Sequence, residues 1–284
     1  MRLHAFAAAV AAALASLFVT VPAVANTGAE EPKTLNLGVE GMFGRFDQAQ
    51  LQRGFKVYSE VCSSCHSMSL LYYRNLAQKG GPFFDPKHPN PIESPYAKAV
   101  SAEVKVADLD QDTGDAIERP ATPADHFRSP YPNEAAARGA NGGAYPPDLS
   151  VITRAREGGS SYVYSLLQGY VTPPKGLEVP AGKFYNPYMA GDLASYWKGD
   201  RKHVPHGGFI AMPFQLTPGR VTFDDGTKST TEQQSRDVSA FLAWAAEPHQ
   251  VERKEAGIAV MLYLLAFAAI LWFSYKQIWR NVAH

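Results

Sequence analysis

The chain is expected to be mainly α-helical, with long loops and one C-terminal transmembrane helix. Three observations predict this class. Apolar residues recur at helical spacing in the segments 46–76, 160–168 and 231–247; Gly and Pro crowd the stretch 80–147; and 19 consecutive residues, Gly257 to Tyr275, carry no formal charge. With 284 residues, 45% of them apolar and 12% aromatic, the chain can bury a sizeable core. Its 27 Lys plus Arg against 27 Asp plus Glu sum to zero formal charge, so no nucleic-acid partner is expected.

Taken in order, residues 1–25 begin with Met1-Arg2 and run through Ala- and Val-rich sequence to Ala23-Val24-Ala25, the pattern of a signal peptide with an A-x-A cleavage site. Export to an oxidising compartment follows. Residues 26–256 then form the exported domain. Leu51, Phe55, Tyr58, Cys62 and Cys65 share one face of an amphipathic helix, which Asp47 and Gln50 cap, so the two cysteines are expected at its C-terminal end facing the core. From Gly80 to Pro147 the breakers predict surface loop with short helices at most. Ser160 to Gln168 predicts a short helix capped by Ser160 and closed by Gly169. Val221 to Gly226 is the one hairpin expected. Thr231 to Glu247 predicts a helix with a Thr231/Gln234 capping box, Val238, Phe241, Leu242 and Ala245 on its buried face, and Pro248 as its stop. The span 257–275 is long enough for a hydrocarbon core of about 30 Å, and Trp272, Tyr275 and Trp279 mark an interfacial belt. Lys276 and Arg280 follow it while the charges of residues 252–255 cancel, which puts the tail 276–284 in the cytoplasm and the domain outside.

Cys62-Ser63-Ser64-Cys65-His66 is C-x-x-C-H, the attachment signature of a c-type haem. Two thiols one turn apart can add to the two vinyl groups of one haem, giving covalent haem c, and the imidazole that follows can reach its iron. A thioredoxin-like dithiol would sit at a strand-to-helix junction, which the helical period here does not offer. A zinc site would need more ligands than His203 and His206 supply.

A six-coordinate haem needs a second axial ligand, and a thioether raises the potential by favouring ferrous iron. Met1 leaves with the signal, Met261 lies in the membrane helix, and Met68 is too near His66. Met42, Met189 and Met212 remain, with His203 and His206 as histidine alternatives. Met212 is favoured because Pro213 stiffens the extended loop that carries it.

Together, C-S-S-C-H, R-G-A-N-G-G-A-Y-P-P-D-L-S at 138–150, Y-N-P-Y at 185–188, A-M-P at 211–213, F-D-D-G at 223–226 and W-A-A-E-P at 244–248 before a single membrane helix resemble the cytochrome c1 family, haem subunits of cytochrome bc1 complexes. The signal peptide and an insertion from Asp192 to Gly208 resemble alphaproteobacterial members. The resemblance implies a class I cytochrome c-like haem domain on the periplasmic side of a bacterial inner membrane. It implies one electron at a time passing from a Rieske iron-sulfur protein to a soluble cytochrome c, beside cytochrome b in a dimeric complex. It also implies attachment at Cys62 and Cys65, iron ligation by His66 and Met212, Asn141, Pro146 and Pro147 lining the ring, and Arg154 and Tyr162 approaching the propionates. The chain departs from some bacterial relatives in lacking an extra Cys pair near the Met ligand, and its ligand loop reads Met-Pro-Phe where several prolines are usual.

Seven acidic residues between Glu103 and Asp125 stand against Lys105 and Arg119, a loop suited to steering a basic soluble cytochrome. The haem itself changes oxidation state, so no general acid, base or nucleophile is expected. The His66 ring is expected to donate its free N–H to a backbone carbonyl. Two rival functions are a membrane-tethered cytochrome carrier serving an oxidase, and an anchored factor using the Cys pair as a dithiol.

Overall fold

The computed structural model describes residues 28–281, so the signal-peptide reading and the last three residues lie outside it. Six α-helices are present among the described residues: α1 Gln48–Glu60, α2 Pro95–Ala102, α3 Glu134–Ala140, α4 Gly159–Gln168, α5 Thr231–Ala246 and α6 Gln250–Ile278. Two short antiparallel hairpins accompany them, β1 Lys105–Leu109 with β2 Ala116–Pro120, and β3 Phe184–Asn186 with β4 Gly208–Ile210. This is the mainly helical class expected.

The core forms where α5 packs against both α1 and α4. At the first crossing Gly54 lets the helices touch, since a Cβ there would lie 2.1 Å from the Asp237 carbonyl oxygen and 2.7 Å from the Phe241 Cβ. The same crossing buries an ion pair: Arg53 Nε lies 2.8 Å from the Asp237 carboxylate, which is fully buried and also accepts from Gln233 Nε2 at 2.9 Å. Because a buried carboxylate is tolerated only when paired and hydrogen-bonded, this pair fixes how α1 lies on α5. The expected α5 face, Val238, Phe241, Leu242 and Ala245, is buried as predicted.

Several local expectations are corrected. Helix α1 is capped by Asp47, whose carboxylate accepts from the Gln50 N–H at 2.8 Å, but it ends at Glu60; Cys62 opens a separate 3₁₀ turn, Cys62–Ser64, and Cys65 closes it. Helix α4 starts at Gly159 instead of being capped by Ser160, because Gly158, with φ +78°, turns the chain into the helix early. The cap of α5 is Thr230, accepting from the Gln233 N–H at 3.1 Å; Thr231 instead donates to the Leu216 carbonyl and Gln234 to that of Thr217. Residues 221–226 form no hairpin. Phe223 is buried, and Asp224 and Asp225 bond Lys56 and Arg53 of α1 at 3.0 and 2.6 Å, so F-D-D-G is a turn fastened to that helix. The hairpin instead lies at β1–β2, inside the stretch expected to hold only loop and short helix, where Asp110 accepts from the Asp112 and Thr113 N–H groups and closes the turn.

The insertion 192–208 is ordered by a second small core of Leu177, Tyr185 and Leu193 with Val179, Trp197, Val204 and Phe209. Trp197 Nε1 donates to the Asp200 carbonyl at 2.9 Å and the Tyr185 hydroxyl to that of His206 at 2.7 Å. Helix α6 contains the expected span; it is long and apolar enough to cross a membrane and none of its residues is buried. Its first turns are tied to the domain by Arg45–Glu255 at 2.6 Å, Lys79–Glu255 at 3.0 Å and Arg253–Glu247.

Candidate haem site

Val61 breaks α1, and the chain then tightens so that the Cys65 and His66 N–H groups both bond the Cys62 carbonyl, at 3.1 and 2.9 Å. One turn thus carries two free thiols and an imidazole. Burial first, and the neighbouring Cys65 second, push the Cys62 thiol up to about 12. A redox dithiol needs a depressed pKa to attack as thiolate, so this environment opposes a thioredoxin-like role.

The His66 Nδ1 lies 2.7 Å from the Pro147 carbonyl oxygen. A carbonyl only accepts, so Nδ1 carries the proton and the Nε2 lone pair is left for a metal. Burial lowers the imidazole pKa more than this bond raises it, which keeps the ring neutral. The chemistry of this donor set, two thiols and a neutral imidazole with one nitrogen already oriented, fits covalent haem c.

Asp148, a residue the sequence reading did not single out, holds this arrangement together. Its carboxylate accepts from Ser67 Oγ, Ser69 N–H, Ser69 Oγ and Ser150 N–H, each at 2.8 Å, joining the segment after His66 to the loop that carries Pro147. Burial pushes its pKa up, but the hydrogen bonds from Ser150, Ser69 and Ser67 outweigh it and hold the group well below the usual carboxylate range. The Leu149 N–H adds a bond to the Ser67 carbonyl at 2.8 Å.

Strand β4 delivers Ala211, Met212 and Pro213, and Met212 is half-buried. Its carbonyl accepts from the Tyr170 hydroxyl at 2.9 Å, and the Tyr170 ring packs on Phe214 at 5.3 Å. This bond restrains the Met212 backbone where the sequence lacks further prolines. Met189 differs, for its sulfur accepts from the Tyr162 hydroxyl at 3.7 Å. Met42 is 64% exposed, while exposed His203 and His206 have Nδ1 on Asp200 and on the Gly28 carbonyl.

Asn141 ends α3, its amide donating to the Ala137 carbonyl at 2.7 Å and to the Tyr131 hydroxyl at 3.1 Å. Pro146 is half-buried and Pro147 exposed. Arg154 pairs with Glu247 at the α5–α6 junction, whereas the guanidinium whose charge Tyr162 feels is that of Arg156. The structure therefore brings Cys62, Cys65, His66 and Pro147 together and places Arg154 with the helix junction. Arg156, two residues on, was signalled only by its position near the start of α4.

Comparison with known proteins agrees with this geometry. A sequence model of the Cytochrome C1 family matches residues 37–282. This chain belongs to the cytochrome c1 family. Similar relatives include the "Cytochrome b/c1" of Bradyrhizobium diazoefficiens, 41% identical over 90% of this chain and only 37% of that relative's own length. The "Cytochrome c1" of Rhodospirillum rubrum is 39% identical over 92% of each chain. The "Cytochrome b-c1 complex catalytic subunit, mitochondrial" of Candida albicans is 41% identical over 86% of this chain and 77% of its own. Cytochrome c1 is the haem-bearing electron-transfer subunit of the bc1 complex. Its haem c is covalent, and the two cysteines available here are Cys62 and Cys65.

Proposed function

We propose that this family member accepts single electrons from a Rieske iron-sulfur protein and yields them to a soluble cytochrome c, as a subunit seated beside cytochrome b in a dimeric ubiquinol:cytochrome c oxidoreductase. The carrying observation is the 2.7 Å bond from His66 Nδ1 to the Pro147 carbonyl, on the same turn as two thiols. Haem c, when bound, supplies the one-electron ferric/ferrous couple. Cys62 and Cys65 would hold it through thioethers, and His66 Nε2 and the Met212 sulfur would ligate its iron. Three observations favour Met212: the Met189 sulfur is engaged by Tyr162, Met42 is exposed on a surface loop, and a hydroxyl steadies the Met212 backbone. Asn141, Pro146 and Pro147 would line the ring, and Tyr162 and Arg154 would serve its propionate side, with Arg156 as a further cation there. The domain would face the periplasm and α6 would anchor it in the inner membrane, since Lys276 and Arg280 mark the cytoplasmic end.

A Met212→Leu variant tests the ligand assignment. Loss of the iron–sulfur charge-transfer band and a sharp fall in midpoint potential are expected; survival of both would remove Met212 from the iron.

A further inference from the structure

The loop Gly41-Met42-Phe43-Gly44 is explained by neither the core nor the haem site. Phe43 is 79% exposed, more than any other large hydrophobic side chain described, the bare membrane helix included, where Ile278 reaches 72%. The loop is held in that position. The Arg45 N–H bonds the Gly38 carbonyl at 3.1 Å, Val39 on one flank is buried and Phe46 on the other packs on the core. From α6, the Lys254 ammonium donates to the carbonyls of Val39 and Gly44, and Glu255 pairs with Arg45 at 2.6 Å. Lys254 and Glu255 are the last charged residues before Gly257, so the base of the loop is clasped to the helix within about 5 Å of its uncharged stretch at 1.5 Å per residue.

We propose that Met42 and Phe43 enter the head-group layer of the outer leaflet as a second membrane contact beside α6, with lipid as their occupant. An exposed aromatic beside a flexible thioether suits the interfacial layer, where apolar bodies sink and polar neighbours stay wet. Arg45 and Lys79, both exposed and both on Glu255, flank the loop at the height where lipid phosphates lie. Two side chains are also a small patch beside the roughly 800 Å² per partner of a stable protein interface. Span and loop together make two attachment points, which fix the tilt of the haem domain on the membrane. The proposal rests on the reading that α6 spans a bilayer.

The test uses the full-length holoprotein in its native membrane, with a photoreactive benzoylphenylalanine replacing Phe43. Illumination is expected to leave a phospholipid adduct on the peptide bearing residue 43, and none when the same probe replaces exposed Leu109 on the β1–β2 hairpin. A cross-link to another polypeptide in place of lipid, or no adduct in membrane-retained protein, overturns the proposal. Release of the wild-type chain by an alkaline wash would overturn the span reading and the loop's role together. A Phe43→Ser variant that keeps its haem spectrum should show a broader spread of haem-plane angles in oriented membranes, and an unchanged spread counts against the second contact.

Discussion

Asp148 acts on the His66 segment as a cap acts on a helix, gathering four donors from Ser67, Ser69 and Ser150 onto one carboxylate. Since the Pro147 carbonyl that orients His66 is its neighbour, Asp148 is a positioning residue for the imidazole. Replacing it by Ala strands those donors, and with hydrogen bonds to charged groups worth about 1.5–3 kcal/mol each before solvent screening, a net loss on the order of 2 kcal/mol is expected. Asp148→Ala should keep its covalent haem yet shift in midpoint potential; an unchanged potential in a folded variant would confine the residue to stability. The haem-attachment residues were legible because covalent chemistry needs a fixed local spacing. The roles of Asp148 and Pro147 were not, since each acts across about 80 positions of sequence. Arg154 and Arg156 illustrate the same limit, for only the fold shows which guanidinium Glu247 engages.

Among elements, the α1–α5 crossing carries the fold. Gly54→Ala would add helix propensity of about 1 kcal/mol but drive a methyl into the Asp237 carbonyl, and overpacking of that kind costs about 1–3 kcal/mol. With backbone as the obstructing atom the steric term wins, so the variant should melt several degrees lower by calorimetry; equal or higher melting would show that the helices can separate freely. The F-D-D-G turn adds a pH dependence. The Thr227 N–H first, then Arg53, lower the Asp225 carboxyl from 3.8 to about 2. Its folded pKa lies below its unfolded value, so its contribution is complete above about pH 4 and vanishes as pH falls through 2. Denaturation from pH 5 to 2 should therefore lose less stability in Asp225→Asn than in the wild type. Sequence periodicity located α1, α4, α5 and the span because each buries or exposes a repeating face. It misplaced two helix caps by one or two residues, since adjacent Thr, Ser and Gly residues compete for one role that tertiary contacts decide. The β1–β2 hairpin escaped notice because both strands are mostly exposed and their apolar residues, Val106, Ala107 and Leu109 in β1 and Ala116 and Ile117 in β2, do not alternate with polar ones.

At the scale of the whole molecule, unpaired acidic charge collects at one hairpin. On and around the β1–β2 hairpin, Arg119 ties down Asp108 and Asp125 and the turn engages Asp110, leaving Glu103, Asp112, Asp115 and Glu118 exposed. Such a patch speeds encounter with a basic partner and loses its effect as salt screens it over a Debye length of about 8–10 Å. Electron delivery to a basic soluble cytochrome should slow with ionic strength, and exchanging those four exposed acids for amides should flatten the dependence; an unaltered salt profile would assign the patch to solubility alone. The fastening of α6 has a mechanical outcome. With Glu247 and Glu255 each gripping two cations at the helix base, four ion pairs restrain any swivel between mast and lantern. A head restrained in this way would serve as a landing stage, with the travelling left to whatever brings the electron and whatever takes it away.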